Sequence, residues 1–86
     1  MYKVLLIDDE AVILEGLKNL IDWEKLGTEI VDVAKDGKEG LQKIEQCRPD
    51  IVISDIAMPN CSGIELLQKT EEMDLGIKVI LLSGYQ

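Results

Sequence analysis

The stretch Ile51-Val52-Ile53-Ser54-Asp55-Ile56-Ala57-Met58-Pro59 constrains the fold of this chain more than any other. Entered from Pro49-Asp50, the β-branched run Ile51 to Ile53 has the composition of a strand buried on both faces, as in parallel sheets covered by helices. It ends in a carboxylate, and Pro59 then forces the chain into a loop. A carboxylate at the carboxyl end of a buried strand is badly placed for packing. It is well placed for chemistry, because ligands of open α/β sheets bind just outside those strand ends. The rest of the chain reads as a frame around Asp55.

Lys3 to Ile7 is a first buried strand, and it runs into Asp8-Asp9-Glu10. Three consecutive acids cannot be core. They could form the first turn of the next helix, where carboxylates suit the helix dipole; that reading is the simpler one for Glu10 and stands level with a binding role for Asp8 and Asp9. Ile13, Leu14, Leu17, Leu20 and Ile21 then make one apolar helical stripe, with Gly27 as its stop and Trp23 and Leu26 capping the core beneath. Glu29 to Ala34 is a second strand. Its incomplete apolar run, with Asp32 facing out, suits a sheet edge. Asp36 and Glu39 fit a capping box opening a helix that buries Leu41, Ile44 and Cys47, and Arg48-Pro49 closes it. Ser62 and Glu65 form a second capping box around Gly63, with Ile64 and Leu67 on the inward face. A linker over Met73 to Gly76 leads to a fourth buried strand, Ile77 to Leu82, followed by Ser83-Gly84.

The order is β-α-β-α-β-α-β. Helical crossovers between short buried strands predict an α/β fold, a doubly wound parallel sheet with right-handed connections and helices on both faces. The strand ends collect Asp8, Asp9, Asp55 and Ser83. With the strand order 2-1-3-4, strands one and three are neighbours and the three carboxylates converge. No lysine or arginine lies in those loops, so a shared cation is needed to offset their repulsion. Oxygen-only ligands, few in number, suit Mg²⁺. A Mg²⁺ site beside a carboxylate and a hydroxyl points to phosphoryl chemistry, with Asp55 as nucleophile.

Bulk properties narrow the alternatives. At 86 residues the chain is one small domain with a thin core. Cys47 and Cys61 stand apart and there is no histidine, which argues against zinc, a Cys–His nucleophile and a disulfide scaffold. A formal charge of −8 disfavours direct nucleic-acid binding. No apolar run approaches the ~20 residues that span a bilayer, and Val4 to Ile7 is too short for a signal peptide. A cytoplasmic location, without membrane contact, is expected.

Four pieces in order resemble the receiver domain of two-component response regulators. They are Val4-Leu5-Leu6-Ile7-Asp8-Asp9-Glu10, Pro49 to Asp55, Met58-Pro59 with Gly63, and Leu81-Leu82-Ser83-Gly84. The resemblance runs from Met1 to Gln86 and implies a flavodoxin-like sheet of order 2-1-3-4, the order of chemotaxis receivers. It implies that Asp55 takes a phosphoryl group from a phosphohistidine on a sensor histidine kinase. Asp8 and Asp9, with Asp55 and the backbone carbonyl of Ala57, would hold Mg²⁺, and the Ser83 hydroxyl would meet the phosphoryl group and couple it to a loop shift. Ile21 to Gly27 and Leu82 to Tyr85 are similar to receivers joined to AraC-type DNA-binding domains. Any nucleic-acid contact would then belong to a domain absent from these residues.

Receivers of this kind continue with a helix, a fifth strand and a last helix, which carry a lysine and a switch aromatic. Residues 1–86 are therefore expected to be the part of the domain through its fourth strand, whose open edge is a template for another chain. These residues alone are expected to be molten, to aggregate, or to be rescued by edge pairing or segment exchange with a second copy. A signalling module rather than an enzyme is the reading that follows. The enzyme alternative is a phosphatase of the haloacid-dehalogenase kind with Asp8 as nucleophile, Glu10 as second acid and Ser83 as strand-end hydroxyl. That family wants aspartate where Glu10 stands. The third alternative is an interaction module that keeps the fold without phosphorylation.

Overall fold

The computed structural model describes residues 1–58 and 61–82. Four strands and three helices alternate: β1 (Tyr2–Ile7), α1 (Ala11–Leu20), β2 (Thr28–Ala34), α2 (Gly37–Cys47), β3 (Ile51–Asp55), α3 (Gly63–Met73) and β4 (Lys78–Leu82). A single 3₁₀ turn, Glu24–Leu26, joins α1 to β2. All strand pairs are parallel and the sheet order is β2-β1-β3-β4, as the alternation and the resemblance imply.

The central strand β1 has four consecutive buried residues, Val4 to Ile7, because both its faces are covered. Leu5 and Ile7 join Ala34, Ile44, Val52, Cys61 and Leu66 beneath α2 and α3. Val4 and Leu6 point the other way and pack with Leu14 of α1, backed by Leu17, Trp23, Ile51 and Ile53. Each fully buried Leu or Ile contributes about 1.5–3 kcal/mol of transfer free energy, so β1 anchors both layers.

Local chemistry sets the helix ends. Ser62 Oγ accepts from the Glu65 N–H at 3.2 Å and Glu65 Oε1 accepts from the Ser62 N–H at 3.2 Å, the full capping box. At α2 only half of the box forms: Asp36 Oδ1 accepts from the Glu39 N–H at 2.8 Å, while Glu39 reaches past it to the Lys35 N–H at 2.7 Å. Arg48 closes α2 in the left-handed region, φ 47°, just before Pro49.

Several faces differ from those read off the sequence. On α1, Leu14 is buried but Ile13 is 41% and Leu20 86% exposed, because the helix lies on the sheet along a narrower stripe than its apolar residues define. Trp23 does close the core beneath α1, its indole N–H donating to the Leu17 carbonyl at 3.0 Å; Leu26 is exposed instead. The inward face of α3 is Gly63, Leu66 and Thr70, and Ile64 is exposed. β4 lies at the sheet edge and alternates between half-buried and exposed, so it is not the fully buried strand its composition suggested. On β2 the register slips between Val4 and Leu5, leaving Val31 over as a bulge. Asp32 is thereby turned toward α2, where its carboxylate pairs with Lys43 Nζ at 2.7 Å.

Close backbone approach holds Cys61, just before α3, against the start of α2. A Cβ on Gly37 would run into the Cys61 carbonyl oxygen and come within 2.5 Å of its Cβ. By contrast, a Cβ on Gly16 in α1 would meet only Leu20 Cδ1, at 4.0 Å. Gly16→Ala should therefore raise the thermal midpoint, by up to about 1 kcal/mol of helix propensity. Gly37→Ala should lower it, by about 1–3 kcal/mol of overpacking. Paired melts followed by circular dichroism check both signs, and a Gly37→Ala protein as stable as its parent would contradict the packing described.

Candidate functional site

The site grows from the β1–β3 ladder. Its register pairs Val4 with Ile51 and Ile7 with Ser54, so one step further on Asp8 leaves β1 beside Asp55 at the end of β3. Asp9 follows in the loop. One carboxylate oxygen from each of Asp8, Asp9 and Asp55 lies within 4.8 Å of the other two. Asp8 is buried, Asp55 half-buried and Asp9 exposed, so the cluster is open to solvent on one side.

These acids do not serve helix α1. Its N-cap residue, Glu10, makes no side-chain capping bond, and there is no acidic residue in its first turn. Instead Asp8 Oδ1 accepts from the Glu10 N–H at 2.9 Å, which turns the Asp8 carboxylate back over the strand ends. Asp8 therefore does not cap α1, and Glu10 enters through its backbone N–H.

Electrostatics makes the arrangement costly without a partner. Burial pushes the Asp8 carboxyl above its ordinary value; the Glu10 N–H pulls it down, and the charges of Asp55, Asp9 and Glu10 push it up again. At an effective dielectric of about 20, two charges this close repel by on the order of 3 kcal/mol, less for the water-exposed Asp9. Among the described residues no lysine or arginine forms a salt bridge with any of the three; the salt bridge of Asp32 with Lys43 lies elsewhere. A donor set made of three carboxylates, open on one side, fits a hard divalent cation that keeps part of its water.

The other residues singled out from the sequence fall as follows. Ala57 is exposed two residues beyond Asp55 on the same loop. Ser83 lies outside the described residues. β4 ends at Leu82, which pairs with Asp55 in register, and the Leu82 carbonyl accepts from the Ile56 N–H at 3.2 Å. What sequence reasoning missed is how the turn after Asp55 is held. The Gly63 N–H donates to the Ile56 carbonyl at 2.7 Å, and a Cβ on Gly63 would stand 2.5 Å from the Asp55 carbonyl oxygen and 2.9 Å from Ile56 Cα. A glycine at the first residue of a capped helix was the available signal; its contact was not.

Comparison with known proteins agrees with this geometry. The sequence profile for the "Response regulator receiver domain" matches residues 4–86. Over 85 residues, 99% of this chain, it is 42% identical to the transcriptional regulatory protein YesN of Bacillus subtilis and covers 23% of that protein. Over the same length it is 44% identical to the transcriptional regulatory protein HptR of Staphylococcus aureus, covering 33% of it. The chain therefore spans a quarter to a third of these relatives. Among solved structures, the REC domain of AraT, a response regulator from Geobacillus stearothermophilus, superposes with a TM-score of 0.91 at 37% identity, over 98% of this chain and 65% of that one. A two-component transcriptional regulator AraC from Clostridium phytofermentans gives 0.90 at 31% identity, over 100% and 67%.

The raised Asp8 carboxyl has a consequence for stability with a definite sign. Between its ordinary value and its raised one, the folded protein keeps a proton that the unfolded chain has released, so stability falls as pH rises through that interval. Asp8→Asn removes this part of the fall. In metal-free buffer the variant should melt a few degrees above the parent at neutral pH, and the difference should shrink as the pH drops toward about 3.8, the ordinary aspartate value. Thermal melts across that pH range test it; a variant less stable than its parent at pH 7 would contradict the account.

Proposed function

Because the chain belongs to the response regulator receiver family, we propose that Asp55 is its phosphoacceptor and that Asp8 and Asp9 complete a divalent-cation site beside it. The observation that carries the reading is the convergence of the three carboxylates at the carboxyl ends of adjacent parallel strands. Of the three, Asp55 is the one suited to attack. It sits half-buried at a strand end, held by its strand, whereas Asp8 is buried and engaged with the Glu10 N–H, and Asp9 is exposed in the loop.

In the proposed step a carboxylate oxygen of Asp55 attacks the phosphorus of a phosphohistidine on a sensor kinase. A P–O bond forms, the P–N bond breaks, and the imidazole leaves with the electron pair and takes a proton from water. Water later attacks the same phosphorus, releasing inorganic phosphate and restoring the carboxylate. Mg²⁺, held by Asp8, Asp9, Asp55 and the Ala57 carbonyl, would neutralise charge on the phosphoryl oxygens. The chain's own part is to fix the nucleophile at a strand end, crowd two further acids against it and leave one side open to the donor. Ser83 is assigned the hydroxyl that meets the phosphoryl group.

This is a signalling module and not a turnover enzyme: the acceptor is consumed once per cycle, and the readout lies in the phosphorylated state. Residues 1–86 are read as the receiver domain through its fourth strand. The output is proposed to be transcriptional, as the transcriptional regulatory proteins YesN and HptR suggest. DNA contact is assigned to a part of such proteins other than these residues, whose formal charge of −8 disfavours phosphate contact.

Incubation with acetyl phosphate and Mg²⁺ should add one acid-stable, base-labile phosphoryl group. Peptide mapping should find it on Asp55, and Asp55→Asn should abolish it. Label on Asp8, together with steady hydrolysis of p-nitrophenyl phosphate, would replace this reading with the phosphatase one.

A further inference from the structure

Ser54 is the one polar side chain of β3 that is fully buried, with no exposed surface. By the alternation of the strand it shares the α2/α3 face with Val52, between Ile7 of β1 and Leu81 of β4 in register. A hydroxyl in such apolar company costs stability unless it is bonded, and an alanine or valine would fill the place without that demand. Ser54 spends its proton in a particular way. Oγ donates to the carbonyl of Asp55 at 2.9 Å and stands 3.9 Å from Met58 Sδ, on the far side of the loop.

That bond completes a set. The peptide unit between Asp55 and Ile56 is held at its C=O by Ser54 Oγ and at its N–H by the Leu82 carbonyl, 3.2 Å away. The next carbonyl, of Ile56, is held by the Gly63 N–H at 2.7 Å. Two consecutive carbonyls and the intervening N–H are thus fixed, and with them ψ of Asp55 and the path toward Ala57. The direction of the Asp55 Cα–Cβ bond against Asp8 depends on that path.

We propose that Ser54 is a positioning residue: from the opposite face of the sheet, its hydroxyl locks the Asp55–Ile56 peptide and so aims the Asp55 carboxylate at the cluster. The proposal rests on the receiver reading of Asp55 and extends it to a residue that touches neither cation nor phosphoryl group. Residues supporting a ligand from behind typically change metal affinity by about tenfold or more when lost.

The test uses the 86-residue chain with Ser54→Ala and the near-isosteric Ser54→Cys, which keeps the shape of the site if alanine impairs folding. Two quantities are read: Mg²⁺ affinity by titration calorimetry, and the initial rate of Asp55 labelling by acetyl phosphate at saturating Mg²⁺. The expected result is roughly tenfold weaker Mg²⁺ binding and several-fold slower labelling, in a variant whose thermal midpoint stays near that of the parent. A variant that folds and matches the parent in both quantities would overturn the positioning role and leave the receiver reading intact. A parent protein that binds no Mg²⁺ and takes no label on Asp55 would overturn the receiver reading itself, and the role of Ser54 with it.

Discussion

The pairing of β1 with β3 is the interaction on which the rest depends. Parallel pairing between these two strands requires the chain to cross over from the end of one to the start of the other, and its register sets Ile7 against Ser54. Everything chemical follows from the next step along the ladder, where Asp8 follows β1 directly and Asp55 ends β3. A slip of one residue would turn the core side chains of one strand to the wrong face and carry its aspartate with them. The four buried residues Val4 to Ile7, packed on both sides, oppose such a slip.

The site stands in tension with stability. Three carboxylates gathered within 4.8 Å repel one another, and burial of Asp8 adds to the strain. The fold supports this by rigidity nearby: the turn after Asp55 is held by Gly63 at the start of a fully capped α3, and by Cys61 against Gly37 at the start of α2. The N-termini of α2 and α3 thereby meet at Cys61 and at the turn after Asp55. The repulsion is what suits the cluster to a divalent cation, which would turn three unfavourable contacts into favourable ones.

The two faces of the sheet are covered unequally. On one side α2 and α3 close over Leu5, Ile7, Val52 and Leu66. On the other, α1 and Trp23 cover Val4 and Leu6, while Ile80 and Leu82 on β4 remain 42% and 38% exposed. Along α1 the exposed Val12 and Leu20 extend the same apolar character. The carboxylate cluster opens at the strand-end rim common to both faces.

Much of this was written in the order of residues. Short β-branched runs alternating with capped amphipathic segments determine an α/β chain with parallel strands, because such strands need covered faces and crossovers. Capping at Ser62 and Glu65, and Asp55 at a strand end before Pro59, are equally local facts. Other features were decided only by tertiary structure. Whether Asp8 and Asp9 served the helix start or a cluster at the strand ends was open, since both uses suit the same carboxylates; the folded loop turns the Asp8 carboxylate onto the Glu10 N–H and brings it together with Asp9 and Asp55. Apolar residues outnumber the positions that a thin core can bury, so Ile13, Leu20, Leu26 and Ile64 lie exposed while Leu14 and Leu66 do not. The β2 bulge at Val31, the approach of Gly37 to Cys61 and the bond from Ser54 to Asp55 leave no periodic trace. They arise where separately specified elements meet, and the distances between elements are set by the packing of the whole rather than by any one segment.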